Sequence, residues 1–265
     1  MRRPLRPWLR LLRLGLHLVA GALTILLLFP HLNTEERQRR VIIWSRKLTA
    51  ILNVRVIVHG RPPAVRGEGA LMVSNHVSWL DIHLLHGLLY THFVSKAEVR
   101  DWPLVGWLAE NTGTLFLERD KKADARRMNE TMADLLRTGA CLTLFPEGTT
   151  TDGTALRPFF PSLFQPAVLA RARVWPVAIR YRRPDGSICI DAAYYDNMSL
   201  GESLRRIARQ EAIRAEVHFL PPMQADGLHR REVAAQAEQA IRDVLAADGR
   251  DRAPGTTGHP QAAAH

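Results

Sequence analysis

Apolar and polar positions change period along this chain. Residues 14–32 form one apolar run of mostly Leu, Val, Ala, Gly and Ile, free of Asp, Glu, Lys and Arg. Nineteen residues of helix span about 28 Å, close to one hydrocarbon core. A second apolar stretch, 41–52, is interrupted by Arg46 and Lys47, which suits an amphipathic helix at an interface. Beyond it the pattern shortens. Apolar runs at 54–58, 70–74, 93–95, 114–117, 141–145, 174–179, 187–191 and 217–220 predict strands. Helical periodicity is clearest at 124–136 and 162–172, and 200–213 and 231–245 read as amphipathic helices. Strands alternating with helices of this length imply an α/β fold, a mixed, largely parallel sheet flanked by helices. The chain thus divides into a membrane-anchoring helical segment, 1–52, a domain at 53–247, and a Gly-, Pro-, Thr- and Ala-rich tail at 248–265 that reads as disordered.

Charge changes the picture at the N-terminus. The formal net charge is +10, a value that first suggests nucleic acid. Its distribution points elsewhere: residues 1–61 carry 12 Lys and Arg against Glu35 and Glu36, and so hold the whole excess. A basic block interleaved with Leu and Trp fits the anionic cytoplasmic leaflet and not a nucleic-acid partner. Arg2, Arg3, Arg6, Arg10 and Arg13 precede the apolar run and would keep the N-terminus cytoplasmic. No small-x-small cleavage site precedes Pro30, and basic charge resumes with Arg37, Arg39 and Arg40, which argues against a signal peptide. A true span and a helical hairpin turning at Pro30 both keep the catalytic domain on the cytosolic face of the membrane, and sequence leaves both open. Cys141 and Cys189 lie in apolar contexts with no metal-ligand spacing, and read as reduced core residues. No metal site is expected.

The chemistry gathers in short motifs. Asn75-His76-Val77-Ser78-Trp79-Leu80-Asp81 follows an apolar strand and opens a helix. On one continuous helix His76 and Asp81 would diverge by about 140°, so they meet only with His76 in the loop and Asp81 in the first turn. A carboxylate on one imidazole nitrogen would fix the tautomer of a general base. The same residues, Ser78 to Asp81, also fit an ordinary helix cap. Gly113-Thr114-Leu115-Phe116-Leu117-Glu118-Arg119 ends a strand in a bidentate anion donor or in a solvated charge run. Phe145-Pro146-Glu147-Gly148-Thr149 leaves another strand, with Pro146 fixing the exit and Gly148 allowing a tight turn. No G-x-S-x-G elbow occurs, which disfavours a covalent hydrolase.

These motifs, in this order and followed by Val174-Trp175-Pro176-Val177-Ala178-Ile179, resemble the glycerolipid acyltransferase family over about residues 54–220. The family comprises bacterial 1-acylglycerol-3-phosphate acyltransferases and their lysophospholipid-acylating relatives. The resemblance implies His76 as general base and Asp81 as its partner. It makes Arg119, Glu147, Gly148 and Thr149 contacts for the acceptor head group, and Pro176 part of the acyl-binding region. Lys96 falls where relatives often carry a lysine, as a phosphate contact or a surface charge. It implies transfer from acyl-CoA or acyl carrier protein to a lysolipid hydroxyl, with no cofactor and with backbone N–H groups near the helix start meeting the oxyanion. Phosphatidate-forming members commonly read F-P-E-G-T-R, whereas Thr150 stands here. The expected acceptor is 1-acyl-sn-glycerol-3-phosphate, with lyso-ornithine lipid or another lysolipid as the alternative. A lipid esterase using the same base with water, and a non-catalytic membrane-surface module, are the readings of other classes.

Overall fold

The computed structural model describes residues 6–64, 67–117 and 122–250. It opens with a helical hairpin. α1 (Pro7–Leu27) starts seven residues before the apolar run, because Pro7 at the first helical position has φ already set for a helix. A 3-10 turn over Phe29–His31 contains Pro30 and ends it. α2 (Thr34–Ile51) begins at a reciprocal cap: the Asn33 carbonyl oxygen accepts from the Glu36 N–H, and the Glu36 carboxylate accepts from the Asn33 N–H.

The strands are β1 (Val54–His59), β2 (Ala70–Ser74), β3 (His92–Lys96), β4 (Leu115–Leu117), β5 (Cys141–Leu144), β6 (Arg173–Arg182), β7 (Ile213–Phe219) and β8 (Met223–Gln224). Between them lie α3 (Leu80–Leu88), α4 (Val105–Asn111), α5 (Lys122–Arg137), α6 (Gln165–Ala170) and α7 (Leu200–Arg209), and α8 (Arg230–Arg250) follows. Among the described residues the sheet runs β1-β7-β6-β2-β5-β3-β4. All pairs on this path are parallel except β6 with β7, and β8 adds an antiparallel pairing to β6. The mixed, mostly parallel sheet flanked by helices is therefore the architecture the pattern implies.

β2 is buried on both faces, and its side chains divide the core in two. Ala70 and Met72 join Leu48, Leu52 and Leu84 on one side; Leu71 and Val73 join Met132, Leu136 and Phe164 on the other. Cys141 and Cys189 are free and buried, and burial pushes the Cys141 thiol up to about 12.

Two expected elements differ. The strand at 187–191 reduces to one bridge, Arg182 with Ile188, followed by a 3-10 turn over Ile190–Ala192. Ala192 and Ala193 enter the core there, and the next N–H, of Tyr194, reaches the Val77 carbonyl at 2.8 Å. The helix at 200–213 stops at Arg209, because Ile213, Ala215, Val217 and Phe219 alternate as the buried face of β7. Arg214, Glu216 and His218 fall between them, and these polar residues disguised the strand as the end of an amphipathic helix.

Candidate active site

β2 and β5 are neighbouring parallel strands in the register Val73 to Leu144. Their C-terminal ends coincide, so the loop carrying His76 and the loop carrying Glu147 leave the sheet side by side. That is the edge where open α/β sheets place ligands. Asn75 pins the first loop to β6. Its side-chain amide donates to the Ile179 carbonyl at 2.9 Å, and its carbonyl oxygen accepts from the Ile179 N–H at 2.7 Å.

His76 stands in the loop and Asp81 in the first turn of α3, and the two meet. Nδ1 of His76 lies 2.8 Å from Oδ2 of Asp81. The carboxylate is fully buried while the imidazole is 17% exposed. A buried carboxylate accepts the Nδ1 proton, which leaves Nε2 as the basic nitrogen. One face of the imidazole stacks on Phe145, with centroids 3.8 Å apart and planes within 9°. Asp81 also holds the loop that leads into α3: the same Oδ2 accepts from the Val77 and Ser78 N–H groups at 2.8 and 2.9 Å. One carboxylate thus meets both the imidazole and the loop before α3.

Glu147 is buried. Its two oxygens accept from the backbone N–H of His76, at 2.7 Å, and of Arg157, at 2.8 Å. Burial pushes its carboxyl above the usual range, opposed by these two hydrogen bonds. On the other side of His76, its carbonyl accepts from the Thr151 N–H at 2.9 Å. The turn between requires Gly148, whose φ is +70°. The histidine backbone is thus held at both ends by the second motif.

The imidazole borders a cavity of about 490 Å³. Its wall is mainly apolar, with Leu14, Leu18 and Ile25 from α1, Trp44 and Leu48 from α2, Ile82 from α3 and Val105 from α4. Gly148, Thr149, Thr150 and Lys96 also line it. Arg119 lies outside the described residues. Pro176 sits within β6, opposite Val73, and is not among the cavity's lining residues.

Several N–H groups near the start of α3 already have partners. Those of His76, Val77 and Ser78 serve Glu147 and Asp81; those of Leu80 and Asp81 serve the Ser78 hydroxyl and carbonyl.

Similarity to known proteins bears on this geometry. A family model described as Acyltransferase matches residues 55–180. The chain is 44% identical to a lyso-ornithine lipid O-acyltransferase of Pseudomonas aeruginosa, over 80% of each chain. It is 34% identical to a 1-acyl-sn-glycerol-3-phosphate acyltransferase of Neisseria meningitidis, over 81% of this chain and 84% of that one. The chain belongs to the acyltransferase family. The fold of this acyltransferase also matches the crystal structure of the 1-acyl-sn-glycerophosphate acyltransferase PlsC from Thermotoga maritima. The TM-score is 0.64 at 21% identity, over 92% of this chain and 98% of that one. The acyltransferase has one important site residue that motif reading missed. Tyr181, near the C-terminal end of β6, donates its phenolic O–H to Oδ1 of Asp81 at 2.5 Å. Burial, then the Asp81 charge, holds that phenol well above its ordinary range. Only its place in the alternation of a buried strand, two residues after Ile179, hinted that it faces the core.

Proposed function

We propose that this acyltransferase moves a fatty acyl group from a thioester to the hydroxyl of a lysolipid, with lyso-ornithine lipid as the acceptor. The observation that carries the reading is the His76–Asp81 pair, with the imidazole on the wall of a mainly apolar cavity. Nε2 of His76 takes the hydroxyl proton as the oxygen attacks the thioester carbonyl. The tetrahedral intermediate then expels the thiolate, which leaves with the proton that His76 returns. Such acid–base work contributes about 10²–10⁴-fold. The developing oxyanion is met from the turn at Thr149 and Thr150, which borders the cavity beside His76. Either acyl-CoA or acyl carrier protein suits this scheme as donor.

The acceptor assignment is supported by the 44% identity to a lyso-ornithine lipid acyltransferase and by Thr150, which offers no charge to a terminal phosphate. A phosphate-headed acceptor, 1-acyl-sn-glycerol-3-phosphate, is the second reading, favoured by the 34% identity to the Neisseria enzyme. Attachment to a membrane is supported by α1. Leu12, Leu16, Val19, Leu23 and Leu26 form one stripe, each 49–62% exposed, while Arg10, Leu14, Gly21 and Ile25 are buried on the opposite face. A helix docked along one face suits a position within one leaflet, on the cytosolic side, better than a crossing.

Lipid mass spectrometry of purified enzyme, given a thioester donor and a panel of lysolipids, tests the whole reading. Acylated lyso-ornithine lipid as the main product supports it, and preferential phosphatidate formation replaces the acceptor with the second reading. Fatty acid released equally with and without acceptor would make the protein an esterase.

A further inference from the structure

Asp81 is served unevenly. Oδ2 accepts three hydrogen bonds, from His76 Nδ1 and from the N–H groups of Val77 and Ser78. Oδ1 faces Tyr181, which reaches it from a strand 100 residues further along the chain. The carboxylate is 0% exposed, so water does not substitute there. Tyr181 itself is fixed: its carbonyl accepts from the Cys189 N–H at 2.9 Å, and its strand lies between β2 and β7. A buried phenol needs an acceptor for its proton, and many core tyrosines find a backbone carbonyl. This one is aimed at the carboxylate that holds the basic histidine.

We propose that Tyr181 is a positioning residue for acyl transfer: its O–H holds the outer oxygen of Asp81 and, through Asp81, sets the orientation and proton affinity of His76. The proposal rests on His76 being the general base. A donor on Oδ1 draws charge from the carboxylate and weakens its pull on the imidazolium. Removing it leaves a more basic Asp81, so His76 holds its proton to higher pH. It also frees the carboxylate to rotate, so less of the enzyme has Nε2 aimed at the hydroxyl. Among the described residues, Glu147, from the loop after β5, and Cys189, beside Tyr181, are titratable groups at this cluster, and His83, His86 and Lys96 line the same cavity as His76. None is altered by the test.

Tyr181→Phe keeps the ring and removes only the hydroxyl. In full-length enzyme labelled with 15N-histidine, the His76 signal is identified by its loss in His76→Ala. Its titration midpoint is expected to move upward in Tyr181→Phe, because the carboxylate beside it has lost a donor. The acidic limb of the kcat/KM profile moves with it, and kcat falls about 3- to 10-fold with KM little changed, a fraction of what general-base catalysis supplies. In an Asp81→Asn background the same change adds little further loss. An unmoved His76 midpoint overturns the proposal, whatever happens to kcat or Tm, as do losses that simply multiply in the double variant. Should the wild-type enzyme transfer acyl groups to no lysolipid, the functional reading fails, while the histidine titration still tests the link from Tyr181 to His76.

Discussion

At the scale of single residues, the site is a set of backbone groups held by carboxylates. His76→Ala removes the imidazole that touches Asp81 and borders the cavity, so transfer should fall at least 100-fold in an assay with saturating donor. Asp81→Asn should fold less stably, since it weakens a cap and leaves Tyr181 a poorer acceptor; turnover should drop while KM changes little. Retention of most activity by either variant removes the general-base assignment. Glu147 gives a test with a definite sign. Its pKa is raised by burial, so the folded state holds the proton more tightly than the unfolded chain does. Its contribution to stability is therefore greatest below the ordinary glutamate pKa and declines as pH rises through the raised value. Glu147→Gln does not titrate, so the stability margin of wild type over this variant should narrow from about pH 4.5 upward, read by urea denaturation across pH. Activity should still fall in the variant, because one of the N–H groups of His76 and Arg157 loses its acceptor. His76 and Asp81 were legible as a pair because a five-residue spacing restricts how they can meet. The role of Glu147 and the presence of Tyr181 were not, since both depend on contacts 71 and 100 residues apart.

Elements show the same division. Those whose pattern repeats locally, such as β2, β5 and α5, lie close to where periodicity puts them. The failures at 187–191 and 200–213 come where a tertiary requirement overrides local pattern: one segment turns early to bring Tyr194 to Val77, and the other ends to supply β7. The hairpin of α1 and α2 shows what else pattern leaves out. An apolar run reads as lipid-facing all round, yet α1 has a specific protein-facing side. Arg10 donates to the carbonyls of Ala208, in the last turn of α7, and of Gln210 and Glu211 just past it, where a helix end leaves carbonyls without partners. His17 stacks on Trp44 with centroids 4.8 Å apart, and the Trp44 indole donates to the His17 carbonyl at 3.1 Å. Gly21 makes that approach possible: a Cβ there would lie 2.5 Å from the indole nitrogen. Gly21→Leu should therefore push α1 from α2 and narrow the cavity both helices line, costing about 1–3 kcal/mol as overpacking does. The expected signature is selective. kcat/KM for long-chain thioesters should fall more than for short-chain ones, and equal losses across chain lengths would mean that this part of the cavity does not hold the acyl chain.

For the whole molecule, the proposed function requires one chain to bring a thioester and a membrane lipid to the same histidine. The hairpin belongs to both worlds. Its inner faces line the cavity and the core, with Leu48 and Leu52 nearly or fully buried, and the outer stripe of α1 is apolar and exposed. Near the same cavity, Trp102, Leu104 and Trp107 around the start of α4 are exposed as well. At a membrane, basic side chains on α1 and α2 would add attraction to anionic lipid, and that part of the binding would be screened by salt. The apolar stripe would not be, because burial of hydrocarbon is insensitive to ionic screening. Two treatments of full-length protein in native membranes should therefore separate the terms. Molar salt should leave the enzyme in the pellet, while mild detergent should release it folded and active. Removing residues 1–52 should not yield a soluble domain, because the cut strips Leu48 and Leu52 from the core against which β1 and α3 pack. Such a fragment should collect in the insoluble fraction, and full-length protein appearing in the salt wash would show that charge alone, and not the α1 stripe, holds the enzyme at the lipid surface.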